Sequence, residues 1–247
     1  MYATTRGLVL REVKYKESDK ILTVLTQDMG KITVGVRGAL RKSSRVTAAS
    51  QQLVFSEMTL FGRNGRWSMN EAETIEQFLG LRRDLGSFAL GGYFAELLEA
   101  VSDEDSPNPE MLALGLNALF ALSRGMHSPE HIKAVFELRL MCLAGYEPQL
   151  YGCGVCGNEN IEDPLFSLNG GILHCRGCFP GGAGVSMPLC RGSLDAMRHI
   201  VSAGAKRIFS FELDKPAAEE LYDICEAYVP AQLGRSFGTL NYWKQVR

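Results

Sequence analysis

The sequence predicts an α+β multidomain chain: a small closed β-barrel leads, a helical bundle follows, and a cysteine-held ribbon interrupts the helices. Three observations predict it. Residues 1–80 hold five short strand-like runs, two of which, at 32–37 and 67–74, show the alternation of half-buried strands. Beyond residue 81 the apolar residues recur at helical spacing instead. Two Cys-x2-Cys pairs, Cys153/Cys156 and Cys175/Cys178, stand eighteen residues apart in the second half. The division these signals suggest is 1–80, 81–150, 151–187 and 188–247, with the second and fourth segments forming one helical domain.

The five runs come in order. Leu8, Val9 and Leu10 open the first strand, and residues 21–26 make the second. Asp28-Met29-Gly30 turns the chain into a third, where Ile32, Val34 and Val36 alternate with Thr33, Gly35 and Arg37. A fourth covers residues 52–61. Gly62-Arg63-Asn64-Gly65 then forms a hairpin turn, its Asn-Gly pair suited to positive φ. In the fifth, Trp67, Met69, Glu71 and Glu73 alternate with Ser68, Asn70, Ala72 and Thr74. Five strands in so short a stretch suit an OB-fold, a barrel that binds nucleic acid along its face and loops. Trp67 and Phe55 fall on alternating positions and are expected in the barrel core.

Charge singles out the same segment. The whole chain carries a formal −2. Residues 1–66, however, hold twelve Lys/Arg against five Asp/Glu, a net of +7; residues 67–247 hold fourteen against twenty-three, a net of −9. A basic segment on an otherwise acidic chain points to a polyanion partner for that segment. Its cations concentrate at connections. Lys14 and Lys16 flank Tyr15 between the first two strands. Arg37, Arg41, Lys42 and Arg45 lie in and just before the loop between strands three and four, and Arg63 and Arg66 flank the last hairpin. Cations that track phosphates beside aromatic faces that stack bases are what a single-strand binder needs. Tyr15 fits either a stacking role or that of a turn aromatic covering the barrel end.

In the middle, Phe88, Tyr93-Phe94, Leu97-Leu98 and Val101 mark a helix, broken by the acidic run at residues 102–107. Asn108-Pro109 and Ser128-Pro129 each read as an N-cap followed by Pro at the first helical position. The second helix ends at Gly125, the third near Gly145, and the three make a small bundle. Cys142 and Cys225 fall on apolar stripes and are expected as core thiols. Arg139 shares such a stripe; an acid such as Glu137 or Glu96, or a partner groove, would accommodate it. His127 and His131 are four apart, but His127 precedes the cap, which argues against a shared ion.

The cysteine array is the strongest single motif. C-x2-C…C-x2-C at this spacing reads as a zinc site, and four thiolates fill a tetrahedral Zn²⁺ shell with no open position, the pattern of a structural ion. Gly152, Gly154, Gly157 and Gly177 let the backbone curl its N–H groups toward sulfur. Residues 165–168 and 172–174 flank Asn169-Gly170-Gly171 as two short strands and a turn. His174 adjoins Cys175 and Cys190 opens a helix, so neither competes as a ligand. Residues 179–184 are Gly-rich but lack the Lys-Ser/Thr ending of a phosphate loop and read as a linker. Two helices follow, one marked by Leu194, Met197, Ile200 and Val201, the other by Leu221, Ile224-Cys225 and Tyr228 through Leu233; Asn241-Tyr242-Trp243 is expected to pack back on the helical core.

Composition narrows the class. With 247 residues, 46% hydrophobic and 22% charged, the chain is ordinary for a globular protein. No apolar run approaches the roughly 18 residues of a membrane span, and the first six residues lack the apolar core of a signal peptide. Seven cysteines, four at metal spacing, argue for a reducing compartment, the cytoplasm, over a disulfide framework. There is no His-Glu-x-x-His, no phosphate-binding loop and no defensible Ser–His–Asp ordering, so an enzyme is not expected.

The order of parts resembles the RecO family of bacterial recombination mediators over nearly the whole chain. The resemblance is carried by Arg6-Gly7-Leu8-Val9-Leu10, the run from Asp28 through Lys31-Ile32-Thr33 to Gly38, Phe61-Gly62-Arg63 with Ala72-Glu73-Thr74-Ile75-Glu76, Phe136-Glu137-Leu138-Arg139-Leu140-Met141, and Gly145-Tyr146-Glu147-Pro148 leading to Cys153. The loop after Gly38 departs from the family loop, which often carries more basic residues and a proline. The resemblance implies a DNA repair role: binding single- and double-stranded DNA, annealing complementary strands, and working with RecR and single-stranded-DNA-binding protein so that RecA loads at gaps. It also implies a cytoplasmic protein that joins the nucleoid when bound to DNA. Spacing and charge alone also suit a protein-interaction adaptor, or an RNA-binding protein of the same build.

Overall fold

The computed structural model describes residues 1–178 and 184–247, so the expected linker at 179–184 lies, but for Gly184, outside the described residues. By compactness the chain forms two units, Met1–Met126 with Phe237–Arg247, and His127–Ser236.

The first unit is built on a closed barrel of β1 (Tyr2–Tyr15), β2 (Asp19–Thr26), β3 (Lys31–Val36), β4 (Phe55–Arg63) and β5 (Arg66–Glu76), in the order β1-β2-β3-β5-β4. β4 pairs back onto β1, and β3 runs parallel to β5 through Val34↔Trp67 and Gly35↔Ser68. This is the predicted OB-type barrel. Its first strand is longer than the three apolar residues that announce it. The N-terminal part of β1 pairs β4 and the C-terminal part pairs β2, and a register shift between Val9 and Arg11 bends the strand between the two partners. The far end of the β1–β2 hairpin projects past the apolar interior. Residues 11–17 are therefore exposed on both faces and carry no alternating pattern to read. Lys14 and Tyr15 consequently lie on β1 itself, not in a connection.

Val9, Leu22, Val24, Ile32, Val34, Val36, Met58 and Leu60 fill the barrel, contributed by alternate positions of four strands. Trp67 is partly buried and packs against this core, and Phe55 is partly buried at the start of β4. A Cβ on Gly62 would fall 2.6 Å from the Trp67 ring, so the indole lies over a position only glycine can occupy. α1 (Leu85–Val101) is capped by Asp84, whose carboxylate accepts from the Ser87 N–H at 2.6 Å. α2 (Pro109–Arg124) starts at the predicted Asn108 cap and ends at Gly125 in the left-handed region. Gly91 of α1 sits against Leu119 of α2, and Gly115 of α2 against Leu98 of α1, which lets the two helices approach closely.

The second unit holds α3 (Pro129–Leu143), α4 (Arg191–Ser202) and α5 (Lys215–Leu233), with a small sheet of β6 (Leu165–Ser167), β7 (Ile172–His174) and β8 (Ser186–Pro188) in the order β7-β6-β8. The three helices read in sequence order before residue 150 thus divide by packing: α1 and α2 with the barrel, α3 with the ribbon. The last helix, α6 (Gly238–Val246), returns to α1 in the first unit: Phe237 meets Tyr93 edge-on and the Thr239 hydroxyl donates to Glu96 at 2.5 Å. Trp243, on α6, is 1% exposed. Among the described residues Arg139 makes no ion pair; its guanidinium donates to the Val201 carbonyl near the end of α4.

All four histidines lie in the second unit, and three of them gather in one aromatic cluster. His127 stacks on His131 at 4.9 Å, and Phe211 covers both His131 and His199. His131 donates its Nε2–H to the Phe209 carbonyl at 3.2 Å, and burial, with His127 beside it, holds its pKa below the usual imidazole value. A second polar cluster was invisible in sequence. Lys133 of α3 reaches Glu137 one turn on at 3.1 Å and Glu226 of α5 at 3.0 Å, with Lys133 and Glu137 side chains 3% and 0% exposed. Burial opposes the ammonium's charge, and the two carboxylates outweigh it, so the lysine pKa is raised. Removing one member of a buried pair strands the other's charge. Lys133→Met is therefore expected to cost about 3 kcal/mol in urea unfolding, and Lys133→Met with Glu137→Leu to regain most of it. A single variant as stable as the parent would contradict a structural role for the cluster.

Candidate nucleic-acid interface and cysteine centre

All eight cations singled out from the sequence are exposed: Lys14, Lys16, Arg37, Arg41, Lys42, Arg45, Arg63 and Arg66. Among the described residues none of them has a carboxylate within 4.0 Å. The other cations of the barrel are engaged. Arg6 pairs with Glu57 at 3.0 Å, Arg11 with Glu99 at 2.9 Å and Lys20 with Glu12 at 2.6 Å, while Lys31 donates to the Glu99 carbonyl at 2.7 Å. Pairing thus separates two classes of basic residue that sequence cannot tell apart.

Three of the eight come together. Lys16, Arg37 and Arg41 line an open cleft of about 560 Å³ with Glu17, Ser18, Asp19 and Gly38. The cleft exists because the β1–β2 turn and the chain leaving β3 are tied together. Asp19 Oδ1 accepts from the Gly38 N–H at 2.8 Å, and the Leu40 N–H donates to the Ser18 carbonyl at 2.9 Å. Gly38 has φ +64°, a conformation that a side chain would strain, and the Arg41 N–H returns to its carbonyl at 3.0 Å. The Gly38 N–H above all holds the Asp19 carboxyl below its usual pKa; partial burial opposes it, and the Ser18 hydroxyl, Lys16 and Arg41 add to it. Nothing in the sequence around Asp19 marks it for this role. Its partner lies nineteen residues away, and no local pattern announces such a bond.

The 37–45 stretch is ordered by more than this tie. Ala39 is fully buried, and the Thr47 hydroxyl donates to its carbonyl at 2.7 Å. The Ser44 N–H donates to the Arg41 carbonyl at 3.0 Å. Small residues plug the barrel end while Arg41, Lys42 and Arg45 face water. Tyr15 is 49% exposed, and the Lys16 ammonium lies 5.3 Å from its ring centroid, so one ring face is already covered by a cation. Lys14 stands opposite Lys20 in the β1–β2 ladder. Arg63 and Arg66 face each other across the β4–β5 turn. Because Trp67 pairs with Val34, Arg66 lies beside the middle of β3, whereas Arg37 leaves its end, and Arg66 does not line the cleft.

The second predicted site is also assembled. The Sγ atoms of Cys153, Cys156, Cys175 and Cys178 all lie within 4.8 Å of one another, and among the described residues this is the group of side chains that can hold a metal ion. Left-handed Gly152 and Gly157 bend the first knuckle, and the Cys153 N–H donates to the Asn158 carbonyl at 2.8 Å. The second knuckle closes through Cys178 N–H to the Cys175 carbonyl at 2.9 Å. Backbone N–H groups of Cys156 and Cys175 point at Cys153 Sγ at 3.5 and 3.4 Å. Burial raises the Cys153 pKa, but these donors, with Val155, bring it to about 6; Cys178, sharing a hydrogen bond with Cys156 and partly shielded, is pushed up to about 12. Four sulfurs this close repel once ionised, and a cation relieves that repulsion.

The competitors are occupied. His174 is buried, with Nε2 2.8 Å from the Ser186 hydroxyl, and Cys190 caps α4 through its sulfur. Cys142, partly buried, is pushed up to about 12 by burial, and Cys225 is buried on α5. The ribbon docks on α5 through Phe166 against Tyr228 at 5.3 Å, and through Gln232 Nε2, which donates to the Leu168 carbonyl at 2.6 Å. Arg198 of α4 donates twice to the Leu150 carbonyl, just ahead of the first knuckle.

Residues 1–78 match the family model described as Recombination protein O N terminal, and residues 82–241 match Recombination protein O C terminal. This chain belongs to the RecO family. Members similar to it include the DNA repair protein RecO of Acetivibrio thermocellus, 32% identical over 246 residues that cover 99% of this chain and 97% of the relative. That of Caldicellulosiruptor bescii is 29% identical over 244 residues, covering 98% of each. That of Anaeromyxobacter dehalogenans is 31% identical over 247 residues, covering 99% and 96%. The boundary between the two RecO family models, at residues 78–82, falls just after β5, where the barrel ends.

Proposed function

We propose that this RecO-family chain is a DNA-binding recombination mediator in DNA repair, working in the cytoplasm. In this reading it binds single- and double-stranded DNA, anneals complementary strands, and helps load RecA at gaps covered by single-stranded-DNA-binding protein, with RecR as a further partner. The observation that carries the DNA reading is the set of exposed, carboxylate-free cations on an OB-type barrel, three of them converging on one cleft. Lys16, Arg37 and Arg41 hold phosphates in the cleft, Lys14, Lys42 and Arg45 extend the track, and Arg63 and Arg66 offer a separate contact at the β4–β5 turn. Annealing has a simple electrostatic account. A cationic surface offsets the repulsion between two phosphate backbones and leaves the base edges free to pair.

In the same reading the cysteine centre holds one structural Zn²⁺ through Cys153, Cys156, Cys175 and Cys178. The fit is geometric. Zinc–sulfur bonds of about 2.3 Å in a tetrahedron place neighbouring sulfurs about 3.8 Å apart, and Cys156 and Cys175 Sγ lie 3.9 Å apart. A four-thiolate shell has no open position for water or substrate, so the ion supplies a cross-link to a hairpin with little core of its own, and the chain acts as a mediator without being an enzyme. The segments 1–80, 81–150, 151–187 and 188–247 then serve as DNA-binding barrel, helical scaffold, ribbon insertion and the rest of the scaffold.

If about six phosphates are neutralised on single-stranded DNA, log K falls against log salt with a slope of about −4. Changing Arg41 and Lys42 together to Ala is expected to weaken binding of all sequences alike and to make that slope less negative by about 1.4, read by fluorescence anisotropy across a salt series. Unchanged affinity would remove the 37–45 stretch from the contact surface. Chelating the metal, or Cys175→Ser, is expected to lower the melting temperature and raise amide exchange at residues 150–178, with DNA affinity retained. A protein with one zinc per chain supports the site; absence of metal, or unchanged melting of Cys175→Ser, would contradict it.

A further inference from the structure

Two carboxylates stand among the three cations of the cleft, Glu17 and Asp19. By charge alone both oppose a polyanion, since each lowers the local positive potential. Their structural situations differ. The exposed Glu17 side chain makes no hydrogen bond or ion pair among the described residues. Asp19 Oδ1 accepts from the Gly38 N–H at 2.8 Å and from the Ser18 hydroxyl at 3.3 Å.

We infer that Asp19 is the positioning residue of the cleft: it fixes Arg37 and Arg41 beside Lys16, and its net effect on polyanion binding is favourable despite its negative charge. The inference deepens the DNA-binding reading above and rests on it. Gly38 lies between the two arginines' backbone positions, so the bond to its N–H anchors both. Arg37 precedes it directly. Arg41 folds back over it, its backbone N–H on the Gly38 carbonyl and its Cδ 3.3 Å from where a Gly38 Cβ would lie. The companion bond from Leu40 N–H to the Ser18 carbonyl closes the same junction from the other side. Three cations would separate if their loops were free, since like charges at short range repel. The Asp19–Gly38 bond holds the chain of Arg37 and Arg41 in place against that repulsion, and among the described residues neither Lys16 nor Arg41 has a carboxylate within 4.0 Å. Phosphates then meet cations already placed, and less ordering is lost on binding.

The test is a series of three variants in the full-length protein, with a fluorescent oligothymidylate as probe across a range of salt. Glu17→Gln removes a charge and no bond, and tightens binding about two- to threefold. Asp19→Asn removes the charge but keeps an oxygen that can accept from Gly38, and binds at least as tightly as the parent. Asp19→Ala removes both, weakens binding about threefold or more, and makes the salt slope less negative by about 0.7 for each cation released from the track. If Asp19→Ala instead tightens binding as Glu17→Gln does, Asp19 is a bystander charge and the inference is overturned while the DNA reading stands. A parent protein with no salt dependence would sink the DNA reading itself, and this inference with it. Amide exchange of Gly38 in the unmodified protein gives a check that needs no variant: the inference expects a protected N–H, and exchange at the unprotected rate contradicts it.

Discussion

Closure of the barrel in the order β1-β2-β3-β5-β4 imposes one constraint on everything around it. The chain must leave β3 and cross the barrel end to reach β4, because β5 occupies the place beside β3. That crossing, residues 37–54, runs past the tip of the β1–β2 hairpin. It is sealed by buried Ala39, Ala49 and Leu53 and sewn to the hairpin by the Asp19–Gly38 and Leu40–Ser18 bonds. Once the apolar side of the crossing is committed to plugging the barrel, its basic side chains can only face outward. The cationic cleft is thus a consequence of how the barrel closes.

The same architecture sorts the charges. Cations on the strands that face acidic neighbours are paired, as Arg6 with Glu57 and Lys20 with Glu12 are. Those at the hairpin tip and on the crossing have no carboxylate within 4.0 Å among the described residues and stay open to an outside anion, although Glu17 and Asp19 stand in the same cleft. Exposed pairs contribute little to stability, so the pairing matters chiefly for where the net +7 of residues 1–66 is left available. In the other unit charge serves packing: Lys133, Glu137 and Glu226 join α3 to α5 from within, and the ribbon leans on α5 through Tyr228 and Gln232.

Local chemistry makes much of this legible in the sequence. Asn108 and Ser128 cap the helices they were expected to cap, because capping depends on a few consecutive residues. The four cysteines converge because Cys-x2-Cys knuckles are local and a short hairpin brings the pairs together. The five-stranded barrel followed from short apolar runs, alternation in β3 and β5, and the turn residues between them. What escaped was what depends on distance in sequence or on surfaces without a buried face. The polar end of β1 has no alternating pattern and the three-residue β8 is too short to announce itself, whereas the return of residues 241–243 to the helical core was legible from their aromatic residues, and Trp243 is buried there. Arg139 ends on a carbonyl 62 residues away. Asp19 belongs to the same class: its role is set by Gly38, and only the folded barrel makes them neighbours.

The central claim is that the barrel end, not the helical or ribbon surface, meets DNA. Backbone amide shifts of the isotope-labelled full-length protein, followed as a single-stranded oligothymidylate is added, test it most directly. The account predicts that the largest changes cluster at residues 14–19 and 37–45, with a second set at 63–66, and that the ribbon and α3 to α5 stay still. Changes centred on residues 150–178 or on those helices, with the cleft unmoved, would contradict it.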